Sequence, residues 1–276
     1  MSITAESPIA PADLARLRSR AHTLALPRSM LGRLGLALQN ALEAWVVRVS
    51  RLPDTPVYDP ADFPWVRGIQ SQWRSIREEL EAVLVDRDRM PSFHEILKEV
   101  GTITRDDQWK TYFLIGTGMD CRENARRCPQ TMRLLETIPG VCTAFFSLLA
   151  PGKHIPAHRG AYNGVLRFHL GLIVPQPRER CRIRIADQFR TWGEGEALIF
   201  DDSFNHEVWN DTDGWRAVLF VDFARPLKAP WDWLNRRLIR MAALAPILRE
   251  AGARQREWER RFYQSPEKSG DPAARV

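Results

Sequence analysis

Between Val141 and Phe223 the hydrophobic period of the chain is two, and it holds through the runs TAFFSLLA, RFHLGLIV, CRIRIA, EALIF, HEVWN and RAVLFVDF. Alternation at that period belongs to strands with one covered face. Turns rich in Gly, Pro, Asn and Asp separate the runs, and no helical stretch intervenes, so antiparallel pairing follows. The expected core is an antiparallel sandwich or barrel, with a jelly roll the natural candidate.

Helices are expected before and after this core. Residues 11–50 read as helices broken at Pro27, with Ser29 as an N-cap. The segment RLPDTPVYDPADFPW reads as an extended linker or an edge-wrapping arm, because each proline removes a backbone donor and fixes φ. From Val66 onward Ile69, Trp73, Ile76, Leu80 and Val83 recur at helical steps, and a further helix is expected within Cys121 to Thr137. After Pro230 the pattern is helical again to about Phe262, followed by a polar tail. The 276 residues thus divide into an N-terminal helical and Pro-rich part (1–65), a β domain with its leading helices (66–228), and a basic C-terminal helix and tail (229–276).

A formal net charge of +6, carried mostly by arginine, favours anionic partners. No nucleic-acid recognition motif accompanies it, so nucleic acid is not an expected partner. Cys121, Cys128, Cys142 and Cys181 form no C-x-x-C pair and read as reduced thiols. The opening residues MSITAESPIAPADLARLRSR lack the basic-then-apolar order of a secretory leader, and Gln39, Asn40, Glu43 and Arg48 interrupt the apolar run from Leu34 to Val49. The expectation is a cytoplasmic protein, with peripheral contact at the inner face of the membrane left open.

Four of the six histidines fall within the β region: His154, His158, His169 and His206. In RFHLGLI, period two sets Arg167, His169, Gly171 and Ile173 on one face and Phe168, Leu170 and Leu172 on the other. A face that polar either meets solvent or lines a pocket for an anion, since burying an unpaired charge is costly. The turn NDTDG joins the strand of His206 to that of Arg216, so one hairpin can bring both to a single cavity. His154 and His158 form an H-x-x-x-H pair, but Pro156 argues against a helix there, and His154 is expected not to be a ligand. Taken singly, Arg167 and Arg216 would be surface charges by default.

The stretches PGKHIPAHRGAYNGVLRFHLGLIVP and TWGEGEALIFDDSFNHEVWNDTDGWRAVLFVDFARP, within roughly Asp107 to Pro226, resemble the aspartyl/asparaginyl β-hydroxylase family of Fe(II)- and 2-oxoglutarate-dependent dioxygenases. The resemblance implies a mainly β core, a cupin-like double-stranded β-helix with flanking helices. It implies His158 and His206 as Fe(II) ligands and Arg216 as the clamp on the distal 2-oxoglutarate carboxylate. Ser147, Arg167 and His169 would complete the cosubstrate pocket, with O2 as the second cosubstrate. Most such oxygenases add a carboxylate two residues after the first histidine. Here that position is Gly160, as the family pattern has it, leaving water or, less readily, a halide to fill the place. Asp201 and Asp202 lie close enough to His206 to replace that carboxylate, but a hydrogen-bonded turn at the barrel rim is the expectation. Trp192 is expected to pack at a turn.

The family includes enzymes acting on Asp or Asn residues of polypeptides and bacterial enzymes acting on lipid acyl chains, and PVYDPADFPWVRGIQSQWRSIREEL resembles the latter. The helices RSMLGRLGLALQNALEAWVVRVSR and LNRRLIRMAALAPILREAGARQREWERR, apolar with scattered arginines, also favour a lipid acyl substrate, with peptide Asp/Asn hydroxylation the alternative. A third reading, a cupin-like binding module without catalysis, is opposed by the joint presence of both histidines and Arg216.

Overall fold

The structure, a computed structural model, describes residues 29–242 and 244–264. The helix expected over residues 11–28, with Pro27 and His22, and most of the polar tail lie outside the described residues.

Two antiparallel sheets form the core. The larger has the order β1 (Val57–Tyr58), β8 (Ala197–Phe200), β5 (Val165–Ile173), β10 (Arg216–Ala224), β3 (Val141–Leu149) and β2 (Trp109–Ile115). The smaller has the order β4 (His154–His158), β9 (His206–Asn210), β6 (Cys181–Ile185) and β7 (Gln188–Thr191). All the expected runs are strands, and the order is that of a jelly roll, because from β3 to β10 the chain crosses between the sheets at every step except β6 to β7. Strands β9 and β10 therefore lie in different sheets and do not pair as the expected hairpin, although both face the space between the sheets. The Pro-rich segment is an edge-wrapping arm: its only strand, β1, pairs with β8 at the sheet edge.

The alternation in RFHLGLI separates two cores. Leu166, Phe168, Leu170 and Leu172 turn outward, where Ile69 of α2 (Val66–Ser71) and Ile76 and Leu80 of α3 (Trp73–Leu84) cover them. Each such side chain, fully removed from water, contributes about 1.5–3 kcal/mol. The opposite face of the large sheet packs against the small sheet through Phe145, Phe200, Phe220, Ile183, Val208 and Trp192. His169 and Arg216 lie buried within that second, inter-sheet layer.

Further helices complete the chain. They are α1 (Met30–Val49), α4 (Phe93–Ile96), α5 (Arg122–Arg127), α6 (Pro129–Leu135), α7 (Trp231–Ala242) and α8 (Pro246–Gln264). The Ser29 hydroxyl caps α1 by accepting from the Gly32 amide at 3.1 Å. The single helix expected within Cys121 to Thr137 is two, split at Cys128, because Pro129 cannot donate to the preceding turn and instead starts α6. The end of α1 is tied to the segment after β10 by hydrogen bonds from the Lys228 amide to the Val49 carbonyl and from the Arg51 amide to the Pro226 carbonyl. No described helix is long and apolar enough to cross a membrane.

Candidate active site

His158 ends β4 and His206 begins β9, and the two are paired across the strands. The pairing depends on a register shift between Ile155 and His158, where Pro156 cannot donate to the ladder. Their ring centroids are 4.2 Å apart with the planes at 56°. Each ring is held the same way: Nδ1 of His158 donates to the Pro156 carbonyl at 2.8 Å, and Nδ1 of His206 to the Phe204 carbonyl at 3.0 Å. Nδ1 therefore carries the proton, and Nε2 keeps the lone pair that a metal takes. Burial lowers the His158 pKa to about 4 and holds His206 well below the usual histidine range, so both rings are neutral. Neutral imidazole is the ligating form.

Among the described residues no group of three or more His, Cys, Asp or Glu side chains is arranged to hold a metal ion. The geometry at Gly160 shows why no side chain is carried there. A β-carbon on Gly160 would overlap the Asp202 carboxylate, and the Gly160 amide donates to the Asp202 carbonyl at 2.7 Å. Asp202 thus brings a carboxylate to the place from which residue 160 withholds one. That carboxylate is held by Arg167, Nη2 to Oδ2 at 2.8 Å. Burial pushes the Asp202 carboxyl up, to about 7, while Arg167 pulls against it.

Asp201 and Asp202 lie in the hydrogen-bonded turn expected of them, and Asp202 in addition sets its carboxylate against Gly160. Asp201 accepts from the Ser203 amide at 3.0 Å and from its hydroxyl at 2.6 Å, and its other oxygen forms a fully buried ion pair with Arg225. Asp202, the next residue of the same turn, faces Gly160 with its carboxylate.

A second constellation lies on the inter-sheet face of the large sheet. Cross-strand partners share a face, and the register aligns Thr111 with Ser147, Ser147 with Val218, and Phe220 with His169. Arg216 is two residues before Val218 and shares that side. Its guanidinium stacks on Trp192 at 4.6 Å, while Nε and Nη1 find no hydrogen-bond partner. Burial pulls the Arg216 pKa down to about 10. Both ring nitrogens of His169, Nε1 of Trp192 and Oγ1 of Thr111 are likewise buried without a partner. A buried guanidinium without an anionic partner is costly, and a cluster of orphaned donors around it fits a carboxylate ligand. Ser147 is buried on the same face and accepts from Trp109 Nε1 at 3.0 Å.

Of the residues expected in this pocket, the structure brings Ser147, His169 and Arg216 onto one face. Arg167 differs, because Asp222 takes its Nε at 2.8 Å and Asp202 its Nη2 at 2.8 Å, so its charge is already answered. His154 is exposed, bonds Glu207 at 2.8 Å and stacks on Trp209, away from His158. Trp192 and Thr111 were not legible as site residues. Trp192 follows a strand and precedes glycines, which reads as a turn, and its place in the site shows only in the packing of its ring against the Arg216 guanidinium.

The sequence profile of the Aspartyl/Asparaginyl beta-hydroxylase family matches residues 70–226. The chain is 45% identical over 239 residues to an ornithine lipid ester-linked acyl 2-hydroxylase of Rhizobium tropici, covering 87% of this chain and 85% of that protein. It is 35% identical over 170 residues to an aspartyl/asparaginyl beta-hydroxylase of Homo sapiens, covering 60% of this chain but 22% of that protein. A solved prolyl-4-hydroxylase of Pseudomonas putida aligns with TM-score 0.37 and 18% identity, over 55% of this chain and 87% of that one, too slight a likeness to carry an argument.

Proposed function

Because the chain belongs to the aspartyl/asparaginyl β-hydroxylase family, we propose that it is an Fe(II)- and 2-oxoglutarate-dependent dioxygenase hydroxylating an acyl chain of a membrane lipid. One observation carries the cofactor reading: a buried arginine with unpartnered nitrogens, Arg216, shares the inter-sheet layer with two neutral histidines whose Nδ1 atoms are both tied to backbone. His158 and His206 would hold the iron through Nε2, and Arg216 would take the distal carboxylate of 2-oxoglutarate. When bound, iron, 2-oxoglutarate and O2 supply the oxidation of an unactivated C–H bond.

The chain's own residues set the conditions for that chemistry. The carbonyls of Pro156 and Phe204 keep each imidazole in one tautomer and one orientation. Arg216, with Trp192 beneath it and His169 and Ser147 on the same face, neutralises and orients an anion. Phe200 and Phe220, packed against His169 at 5.2 and 4.9 Å, exclude water from that end of the site. Arg167 fixes Asp202 beside Gly160.

For the substrate, the alignment to the Rhizobium tropici acyl hydroxylase along most of both chains favours a lipid. Charge supports the same side. Arg159 and Arg167, the arginines beside the histidines, are paired with Glu43 and with Asp202 and Asp222, so an anionic Asp substrate would have to displace those partners. The test is succinate release from 2-oxoglutarate by iron-loaded protein, with ornithine-lipid vesicles or with Asp- and Asn-containing peptides. Lipid-stimulated turnover that His158→Ala and His206→Ala each abolish is expected. Stimulation by peptide alone would move the substrate to polypeptide, and no turnover with no iron uptake would remove the enzyme reading.

A further inference from the structure

Two helices outside the sandwich leave apolar faces uncovered. On α1, Leu31, Leu34, Leu38 and Leu42 follow one another at helical steps and are 80, 57, 63 and 36% exposed. On α7, Trp231, Leu234, Leu238 and Met241 do the same at 36, 44, 43 and 63%. The two faces meet where Trp45 packs edge-on against Trp231 at 4.9 Å. Leu244 and Ile247 extend the second face toward α8, and Trp233 stands exposed beside it.

The charges around this surface have one sign. Glu43, the only acid of α1, is buried against Arg159, and Asp232 of α7 is paired with Arg236. Arg48, Arg237 and Arg240 are exposed, and none of them has a carboxylate partner among the described residues. An apolar stripe flanked by exposed tryptophan and unanswered arginines is the composition of a helix lying in an anionic lipid interface, not of one covered by an acidic protein.

The same two helices grip the loop that follows His158. Gln39 of α1 donates to the Ala161 carbonyl at 3.1 Å, and the Asn163 side chain donates to the Glu43 carbonyl at 2.9 Å. Asn235 of α7 accepts from the Tyr162 hydroxyl and donates to the Gly164 carbonyl, both at 2.8 Å. We infer that α1 and α7 form a docking surface for an anionic bilayer, which holds the loop 159–164 and the adjoining site against the membrane. The inference rests on the acyl-chain reading for its purpose, not for its observation.

Flotation of the full chain with phosphatidylglycerol–phosphatidylcholine vesicles, against phosphatidylcholine alone, tests it. The wild type is expected to float with the anionic vesicles, with a blue shift of tryptophan emission. L34D/L38D, on exposed positions of α1, should reduce binding by more than about tenfold. R237E/R240E, which leaves the apolar face intact, should reduce it by about fivefold or more per arginine. Turnover on detergent-dispersed lipid should be unchanged in both. Wild-type protein that stays unbound overturns the inference; so does a dimer that the leucine variant dissociates, which would assign the face to a second copy. Binding without any turnover would sink the acyl-hydroxylase reading and leave the docking surface standing, whereas turnover without binding would do the reverse.

Discussion

The Asp202 carboxylate occupies the space that a side chain at Gly160 would need. Arg167 locks it there, and Asp222 shares the same guanidinium. The vacancy left by glycine is therefore built by a neighbour, and refilling it from residue 160 must evict Asp202.

Gly160→Ala is accordingly expected to cost about 1–3 kcal/mol by overpacking. Gly160→Asp should cost more, since it sets two carboxylates together, and it should not restore a three-ligand site. Urea melts and iron titration check both. An aspartate variant that melts like the wild type and binds iron more tightly would show that Asp202 yields freely.

Arg216 predicts an unusual pair of outcomes. Arg216→Met removes a buried charge whose Nε and Nη1 lack partners, so the ligand-free protein should melt at an equal or higher temperature. The same variant should lose the thermal stabilisation that 2-oxoglutarate gives the wild type. Arg216→Lys, lacking the planar fork, should raise KM for 2-oxoglutarate by about tenfold or more. A ligand-induced melting shift that survives in the Met variant would place the anion elsewhere.

Arg225 ties together three segments ahead of the site. It donates to the Asn163 carbonyl at 2.6 Å, to the Tyr58 hydroxyl at 2.8 Å and to Asp201, with which it is fully buried. Arg225→Met, which strands Asp201 without its cation, is expected to lose about 3–5 kcal/mol. Adding Asp201→Asn should recover part of that loss. A denaturant-melt double-mutant cycle reads the coupling, and strict additivity would refute it.

A pH dependence follows at the turn before β2, where Asp106 meets Lys153 from the turn before β4. Burial alone would raise the Asp106 carboxyl, but hydrogen bonds from Lys153, the Gln108 amide and Thr104 outweigh it and hold the pKa below the ordinary 3.8. A carboxylate depressed on folding adds stability that is present above its unfolded pKa and lost as pH falls through the folded one. Wild-type stability should therefore drop more steeply than that of Asp106→Asn as pH falls below 3.8. Parallel acid melts of the two would contradict this.

The sandwich was legible because alternation is a local property. Phe168, Leu170 and Leu172 against Arg167 and His169 already declare two faces, whatever lies across from them. HIPAH, by contrast, carries too little alternation to be read as a strand, and its Pro156 argues for a break. The pairing of His158 with His206 follows from the register shift at that proline, which only the partner strand β9 makes visible.

The sequence by itself determined the antiparallel core, since period two is written along the chain, and the family resemblance carried by its motifs implied His158, His206 and Arg216 as site residues. Tertiary structure decided which of those charges are spent and which are open. Arg167 and Arg216 are the same residue type on neighbouring strands of one sheet. One meets Asp202 and Asp222, and the other meets Trp192, with two of its nitrogens unanswered. That difference is set by what distant segments bring into contact, and in a buried layer the electrostatic cost of an unmet charge makes it the difference that matters.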